Sequence, residues 1–187
     1  MQKKIETPID QDTVKRLSTG DSVLLSGIVF IARDAAHKKI AEMLDKGETL
    51  PLDIRGQVIY YAGPCPAKPG QVIGSCGPTT SGRMDAYAPR LIKLGLAGMI
   101  GKGTRNTEVI ASMKDHGAVY FCAVGGTGAL LAKCIVSQEV IAFPELGTEA
   151  LRKAEIKDFP VIVAIDGRGN DIYETGRLRY KKTVCDA

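Results

Sequence analysis

Ala97-Gly98-Met99-Ile100-Gly101-Lys102-Gly103, followed by Thr104 to Asp115 and then Gly117 to Val124, reads as a short strand, a helix and a second strand. The alternation continues towards the C-terminus. Gly125-Gly126-Thr127-Gly128 opens a further helix to about Lys133, and Ile135 to Phe143 is strand-like. Upstream, Ser22 to Ile31 is rich in β-branched residues and reads as a strand interrupted at Gly27. Arg33-Asp34-Ala35-Ala36-His37 follows at once, and Ala36, Ile40, Met43 and Leu44 recur at helical spacing until Gly47 stops the run. Strands and helices in alternation specify an α/β fold, a single layered domain with a mixed sheet.

Other segments are less regular. Asp10 to Leu17 is predicted as a short helix, Gln57 to Ala62 as a strand and Val72 to Gly74 as a brief strand. Prolines deny Gly63 to Gly70 regular structure. A helix is expected from Ser81 to Leu94, kinked or broken at Pro89. Ala150 to Ile156, Val161 to Asp166 and Ile172 to Tyr180 read as strands joined by tight turns, with Asp166-Gly167-Arg168-Gly169-Asn170-Asp171 a strong turn signal.

At 187 residues the chain fits one domain, residues 1–187, able to bury a core. Its net charge of +4 is mild, and its basic residues are scattered with few aromatics among them, which argues against nucleic-acid binding. No apolar run reaches the roughly 18 residues of a membrane helix. Residues 1–8 have charge but no apolar region behind them, so a cytoplasmic location is expected. The five cysteines, Cys65, Cys76, Cys122, Cys134 and Cys185, are widely and irregularly spaced without a C-x-x-C pair. That excludes a zinc knuckle or a self-contained iron–sulfur motif. Cys122 is expected in the core, and Cys65 and Cys76 as buried thiols beside a loop. Two histidines are too few for a histidine-based metal site.

Gly77-Pro78-Thr79-Thr80-Ser81-Gly82-Arg83-Met84-Asp85 concentrates glycines, hydroxyls and an arginine in one turn leading into a helix. Glycines admit a ligand close to the backbone, and arginine offers a fork of donors, so the stretch suits an anion. The alternative is a capped helix start, with Thr79 or Thr80 as N-cap and Arg83 solvated. Arg33 and Lys102 also sit at strand ends, where α/β sheets place ligands. Together, Arg33, Arg83, Lys102, Thr79 and Thr80 suit a small dicarboxylate. The glycines at 125–128 do not have dinucleotide-binding spacing, and Glu145 lies in a Pro-flanked loop, so they are assigned to helix-on-strand packing. No Ser-His-Asp set and no metal-ligand cluster is visible, which leaves half an active site.

These residues carry a resemblance. Arg33 to His37, Gly77 to Asp85, Gly98 to Gly103, Phe143 to Ala150, Asp158 to Pro160 and Gly169 to Asp171 resemble, in order, the iron–sulfur class I fumarate hydratases. The similarity is to their separate β subunit or fused C-terminal domain, and the L(+)-tartrate dehydratase β subunit shares the pattern. The resemblance implies a swivelling β/β/α domain and reversible hydration of fumarate to (S)-malate, a reaction of the tricarboxylic acid cycle. It implies a [4Fe–4S] cluster ligated by a partner α subunit, with no metal ligand on this chain, and a hetero-oligomer. Thr79 would be catalytic, acting at the substrate C3 position with an activating neighbour from the partner. Arg33, Thr80, Arg83 and Lys102 would bind substrate. His37 would have a neighbouring structural role, capping or pairing with Asp34, and Cys76 would fill space. The rivals are tartrate dehydration, and a stand-alone anion- or nucleotide-binding module without catalysis.

Overall fold

A computed structural model describes residues 2–181, so Cys185 falls outside the described residues. Strands β1 (Lys3–Thr7), β2 (Ser22–Ile31), β3 (Val58–Tyr60), β4 (Gly98–Gly101), β5 (Val119–Cys122), β6 (Ile135–Ala142) and β7 (Leu151–Ile165) form one mixed sheet. The helices are α1 (Gln11–Arg16), α2 (Asp34–Asp45), α3 (Ala88–Lys93), α4 (Thr107–His116), α5 (Gly128–Ala132) and α6 (Ile172–Tyr180). The strand order is β1-β2-β3-β4-β5-β7-β6, and β7 also pairs with β2. The run from β2 to β5, with β7, therefore closes into a ring. Within it β2, β3, β4 and β5 are mutually parallel, and β7 runs antiparallel to both β2 and β5. The chain is an α/β fold, as its alternation specifies.

Both faces of the parallel strands are apolar, which explains their unbroken hydrophobic runs. Side chains alternate across a strand. Ile31, Val58, Tyr60, Ile100, Val119 and Phe121 thus fill one buried cluster. Phe30, Ile59, Tyr61, Met99 and Tyr120 turn the other way and pack with Ile40 of α2, Leu91 of α3 and Val109 of α4. Burying one such side chain is worth about 1.5–3 kcal/mol, so the helical layer cannot leave the sheet without a large loss.

Several expectations need correction. Lys3–Thr7, read only as a charged N-terminus, is a strand paired in parallel with β2. Gly27 does not interrupt β2; the strand continues through it with a register shift between Leu25 and Gly27. Val72 to Gly74 is not a strand. The helix expected from Ser81 to Leu94 is instead a 3₁₀ turn, Ser81–Met84, and a separate α3. Pro89 lies in the first turn of α3 and starts that helix rather than kinking it, because a missing N–H costs nothing there.

The largest departures are C-terminal. The two strands expected at Ala150 to Ile156 and Val161 to Asp166 are replaced by one strand of 15 residues, β7 (Leu151–Ile165), which runs through Pro160. Pro160 is tolerated because it pairs with Leu24 on one side, while on the other it falls in the gap between Ile156, opposite the start of β6, and Ile162, opposite the end of β5. Ile172 to Tyr180 is helix, not strand: the Asp171 side chain caps it by accepting from Tyr173 N–H. Asp171 with Glu174 three residues into the helix is a start signal that the β-branched and aromatic pattern concealed. The turn at 166–171 is present, organised by Asp166, which accepts from the N–H groups of Arg168 and Asn170. No helix among the described residues is long and apolar enough to cross a membrane.

Candidate active site

Since β2 to β5 run parallel, their C-terminal ends share one edge of the sheet. The loops leaving it carry Arg33, Gly63 to Arg83, Lys102 and Gly125 to Gly128, the usual position for ligands in such sheets.

Pro78 to Thr80 is extended and lies between the ends of β3 and β4. Thr79 N–H donates to the Tyr61 carbonyl at 2.8 Å, Lys102 N–H to the Thr79 carbonyl at 3.1 Å, and Ser81 N–H to the Lys102 carbonyl at 2.9 Å. Backbone pairing thus aligns Thr79, Thr80 and Lys102 without using their side chains. Thr80 occupies the position before the 3₁₀ turn, but its hydroxyl makes no capping hydrogen bond. Thr80 is exposed, and Thr79 and Lys102 are half-buried. The Lys102 side chain extends over Gly125, where an added Cβ would lie 3.8 Å from its Nζ.

The arginines meet on carboxylates. Asp34 Oδ1 lies 2.7 Å from Arg83 Nε, and its Oδ2 lies 3.6 Å from Arg33 Nε. Arg33 Nη2 donates to Glu149 Oε1 at 2.6 Å, and Ala35 N–H donates to Glu149 Oε2 at 2.9 Å. Burial works to raise the Glu149 pKa, but the hydrogen bonds from Arg33 and Ala35 and the charges of Arg33 and Arg83 hold it below the usual carboxylate range. Glu149 is therefore an anion at neutral pH. Arg33 and Arg83 are paired with Asp34 and Glu149, and Lys102 adds a further cation at the same sheet edge, beside Gly125, which suits an incoming anion.

Beneath the edge lies a buried polar support. The Tyr120 hydroxyl lies 2.9 Å from both Ser81 Oγ and the Gly103 carbonyl, tying the Thr79 segment to the Lys102 turn. Burial raises the Tyr120 pKa, so the phenol keeps its proton. Arg105 is packed between the Tyr61 and Tyr120 rings and donates through Nε to Asp85 Oδ1 at 2.6 Å. Asp85 also accepts from Asn106 N–H at 2.7 Å, fixing the chain just after the Lys102 turn. His37 turns into the core, where its Nδ1–H donates to the Arg33 carbonyl at 3.0 Å and its ring meets Tyr61 edge-on. Its role is structural, with the Arg33 carbonyl as its hydrogen-bond partner rather than Asp34. Burial lowers its pKa to about 4, so it is neutral near pH 7.

Sequence reading missed the roles of Asp34, Glu149, Asp85 and Arg105. Asp34 and Asp85 stand inside the motifs already singled out, next to or near the cations. Glu149 is 116 positions from Arg33, and no local pattern connects them.

The cysteines divide. Cys76 is buried, its thiol pushed up to about 12 by that burial. Cys65 is exposed, contrary to expectation, because the proline-rich loop carries it outward; Cys122 is half-buried, with Tyr173 Oη at 3.2 Å. Among the described residues no group of His, Cys, Asp or Glu could hold a metal ion, so this set does not fit an iron–sulfur cluster. Of the 125–128 glycines, Gly128 serves close packing, but against a loop, since a Cβ there would lie 2.9 Å from Gly77 N; Gly125 and Gly126 are not crowded, and Gly126 takes a positive φ of 82°.

A family model described as Fumarase C-terminus matches residues 2–176. The chain is 42% identical over 173 residues to Fumarate hydratase 2 of Leishmania major, covering 90% of this chain and 30% of that protein. It is 43% identical over 156 residues to Fumarate hydratase class I, aerobic, of Escherichia coli (strain K12), covering 82% of this chain and 28% of that protein. It is 44% identical over 167 residues to a Methanocaldococcus jannaschii protein named "Putative L(+)-tartrate dehydratase subunit beta", covering 86% of each. The chain thus spans under a third of the two fumarate hydratases and most of the β subunit.

Proposed function

The chain belongs to the fumarase C-terminus family, and on that premise we propose that it is the β subunit of an iron–sulfur hydro-lyase that reversibly hydrates fumarate to (S)-malate. The observation that carries the reading is the convergence of Arg33, Arg83, Lys102 and Thr79 at one edge of the parallel strands. The [4Fe–4S] cluster is assigned to a partner α subunit, and this chain supplies the grip on the substrate.

In this reading Arg33, Arg83 and Lys102, with the Thr80 hydroxyl, hold the substrate carboxylates, the arginines through paired N–H groups and the lysine as a point charge. Removing a proton beside a carboxylate builds negative charge on that carboxylate. Fixed cations then stabilise the transition state more than the ground state. Thr79 handles the proton at C3. A hydroxyl is a weak base alone, so a partner group activates it.

A second substrate has a specific observation behind it: a relative matched along 86% of its own length is named for L(+)-tartrate. The test is to recover the tagged chain from its native cell without oxygen and assay the eluate on fumarate and on L-tartrate. Fumarate hydration with a co-purifying iron-bearing chain supports the proposal, and turnover of tartrate alone replaces the substrate. A chain that emerges alone, iron-free and inactive refutes it in favour of a binding module.

A further inference from the structure

Glu149 lies in the 3₁₀ segment Pro144–Glu149, which links β6 to β7 and reaches across to the start of α2. Gly147 turns this segment with φ 59° and ψ −114°, a conformation glycine adopts at little cost. Two further contacts fasten it: Arg152 Nη2 donates to the Gly147 carbonyl at 3.2 Å, and Glu145 faces Lys39 of α2 at 3.5 Å. Glu149 is consequently delivered to Arg33 by a braced strap. Each of its carboxylate oxygens accepts from a different donor, one on Arg33 and one on the α2 backbone. Gly63 supports the guanidinium from beneath, where an added Cβ would lie 2.8 Å from Arg33 Nη1.

An arginine side chain carries about 2 kcal/mol of rotamer entropy, and gripping a carboxylate from a mobile state would forfeit part of it. A cation already ordered by the protein binds without that loss. We infer that Glu149 is a positioning residue, holding the Arg33 guanidinium in the orientation that meets a substrate carboxylate. The inference rests on the proposed role of Arg33 in the hydro-lyase site.

The test uses the enzyme assembled with its partner, carrying Glu149→Ala, Glu149→Gln, or Glu149→Ala combined with Arg33→Met. Glu149→Ala raises KM about tenfold and lowers kcat by a smaller factor, because Arg33 keeps its charge for the transition state but loses the order with which it meets the substrate. Glu149→Gln keeps an acceptor for Ala35 N–H and falls between wild type and Glu149→Ala. In the Arg33→Met background Glu149→Ala adds little, since it acts through Arg33; a merely structural role would add its full effect there. Succinate binding by calorimetry gives a readout without turnover, and Glu149→Ala weakens it by a similar factor. A wild-type enzyme inactive on both fumarate and L-tartrate refutes the hydro-lyase reading, and the succinate titration then decides on Glu149 alone. Unchanged or tighter succinate binding by Glu149→Ala overturns the inference, tighter binding making Glu149 a competitor for Arg33. Absence of succinate binding by the wild type overturns it as well.

Discussion

Gly101→Ala should separate the two chain segments that carry Thr79 and Lys102. A Cβ at Gly101 would lie 1.9 Å from Ser81 Oγ and 3.2 Å from a ring carbon of Tyr61. The Ser81 hydroxyl cannot step aside at no cost, because it is buried and lies 2.9 Å from the Tyr120 hydroxyl. Rotating it away loses that hydrogen bond, about 1 kcal/mol, and leaves a buried phenol with one partner fewer. Moving the backbone instead strains the Ser81–Lys102 and Lys102–Thr79 hydrogen bonds. Overpacking of this kind costs about 1–3 kcal/mol, so a total near 2–3 kcal/mol is expected. For a chain of this size that lowers Tm by about 4–12 °C. Thermal unfolding followed by circular dichroism measures it, and Ser81→Ala in the same chain supplies the control. Removing Oγ removes the collision and leaves two tight contacts, Tyr61 at 3.2 Å and Ser81 Cβ at 3.3 Å, which a shift of a few tenths of an ångström relieves, so the double variant should recover most of the loss beyond that of Ser81→Ala alone. A Gly101→Ala chain that melts with the wild type, or a double variant no better than additive, would refute the packing described.

Three further outcomes are expected. Thr79→Ala should lower kcat far more than it weakens substrate binding, and unchanged turnover would remove Thr79 from the chemistry. Arg83→Met should raise KM and depress kcat/KM by several tens-fold or more, read by steady-state kinetics on the assembled enzyme; a near-silent variant would leave Arg83 as a surface partner of Asp34. His37 has a folded pKa of about 4 against an ordinary 6.5, so between those values the unfolded chain binds more protons. Stability therefore falls as pH drops from about 6.5 to about 4, by roughly 3 kcal/mol if His37 acts alone. In His37→Asn, whose amide can still donate to the Arg33 carbonyl, urea titrations at several pH values should lose that part of the slope.

The alternation of short apolar runs with helical spacing was enough to specify an α/β fold, because side-chain period and helix stops are written locally. The turn from Gly77 to Asp85 is likewise local: its glycines, hydroxyls and arginine stand within nine consecutive positions, and the structure places them at the C-terminal edge of the parallel strands. Lys102 between two glycines belongs with them. Local pattern failed where a partner strand or a cap decided the outcome. Pro160 argues against a strand, yet it falls where β7 changes neighbours. Ile172 to Tyr180 has a strand-like composition but follows the Asp171 cap into a helix. Within the site, the sequence by itself determined which cations and hydroxyls are available. Only the tertiary structure decided what orders them: Asp34 spanning two arginines, Tyr120 and Arg105 supporting two loops, and Glu149 meeting Arg33. The last of these depends on strand pairing that closes β7 onto β2, and no spacing along the chain encodes which distant carboxylate a closed sheet delivers.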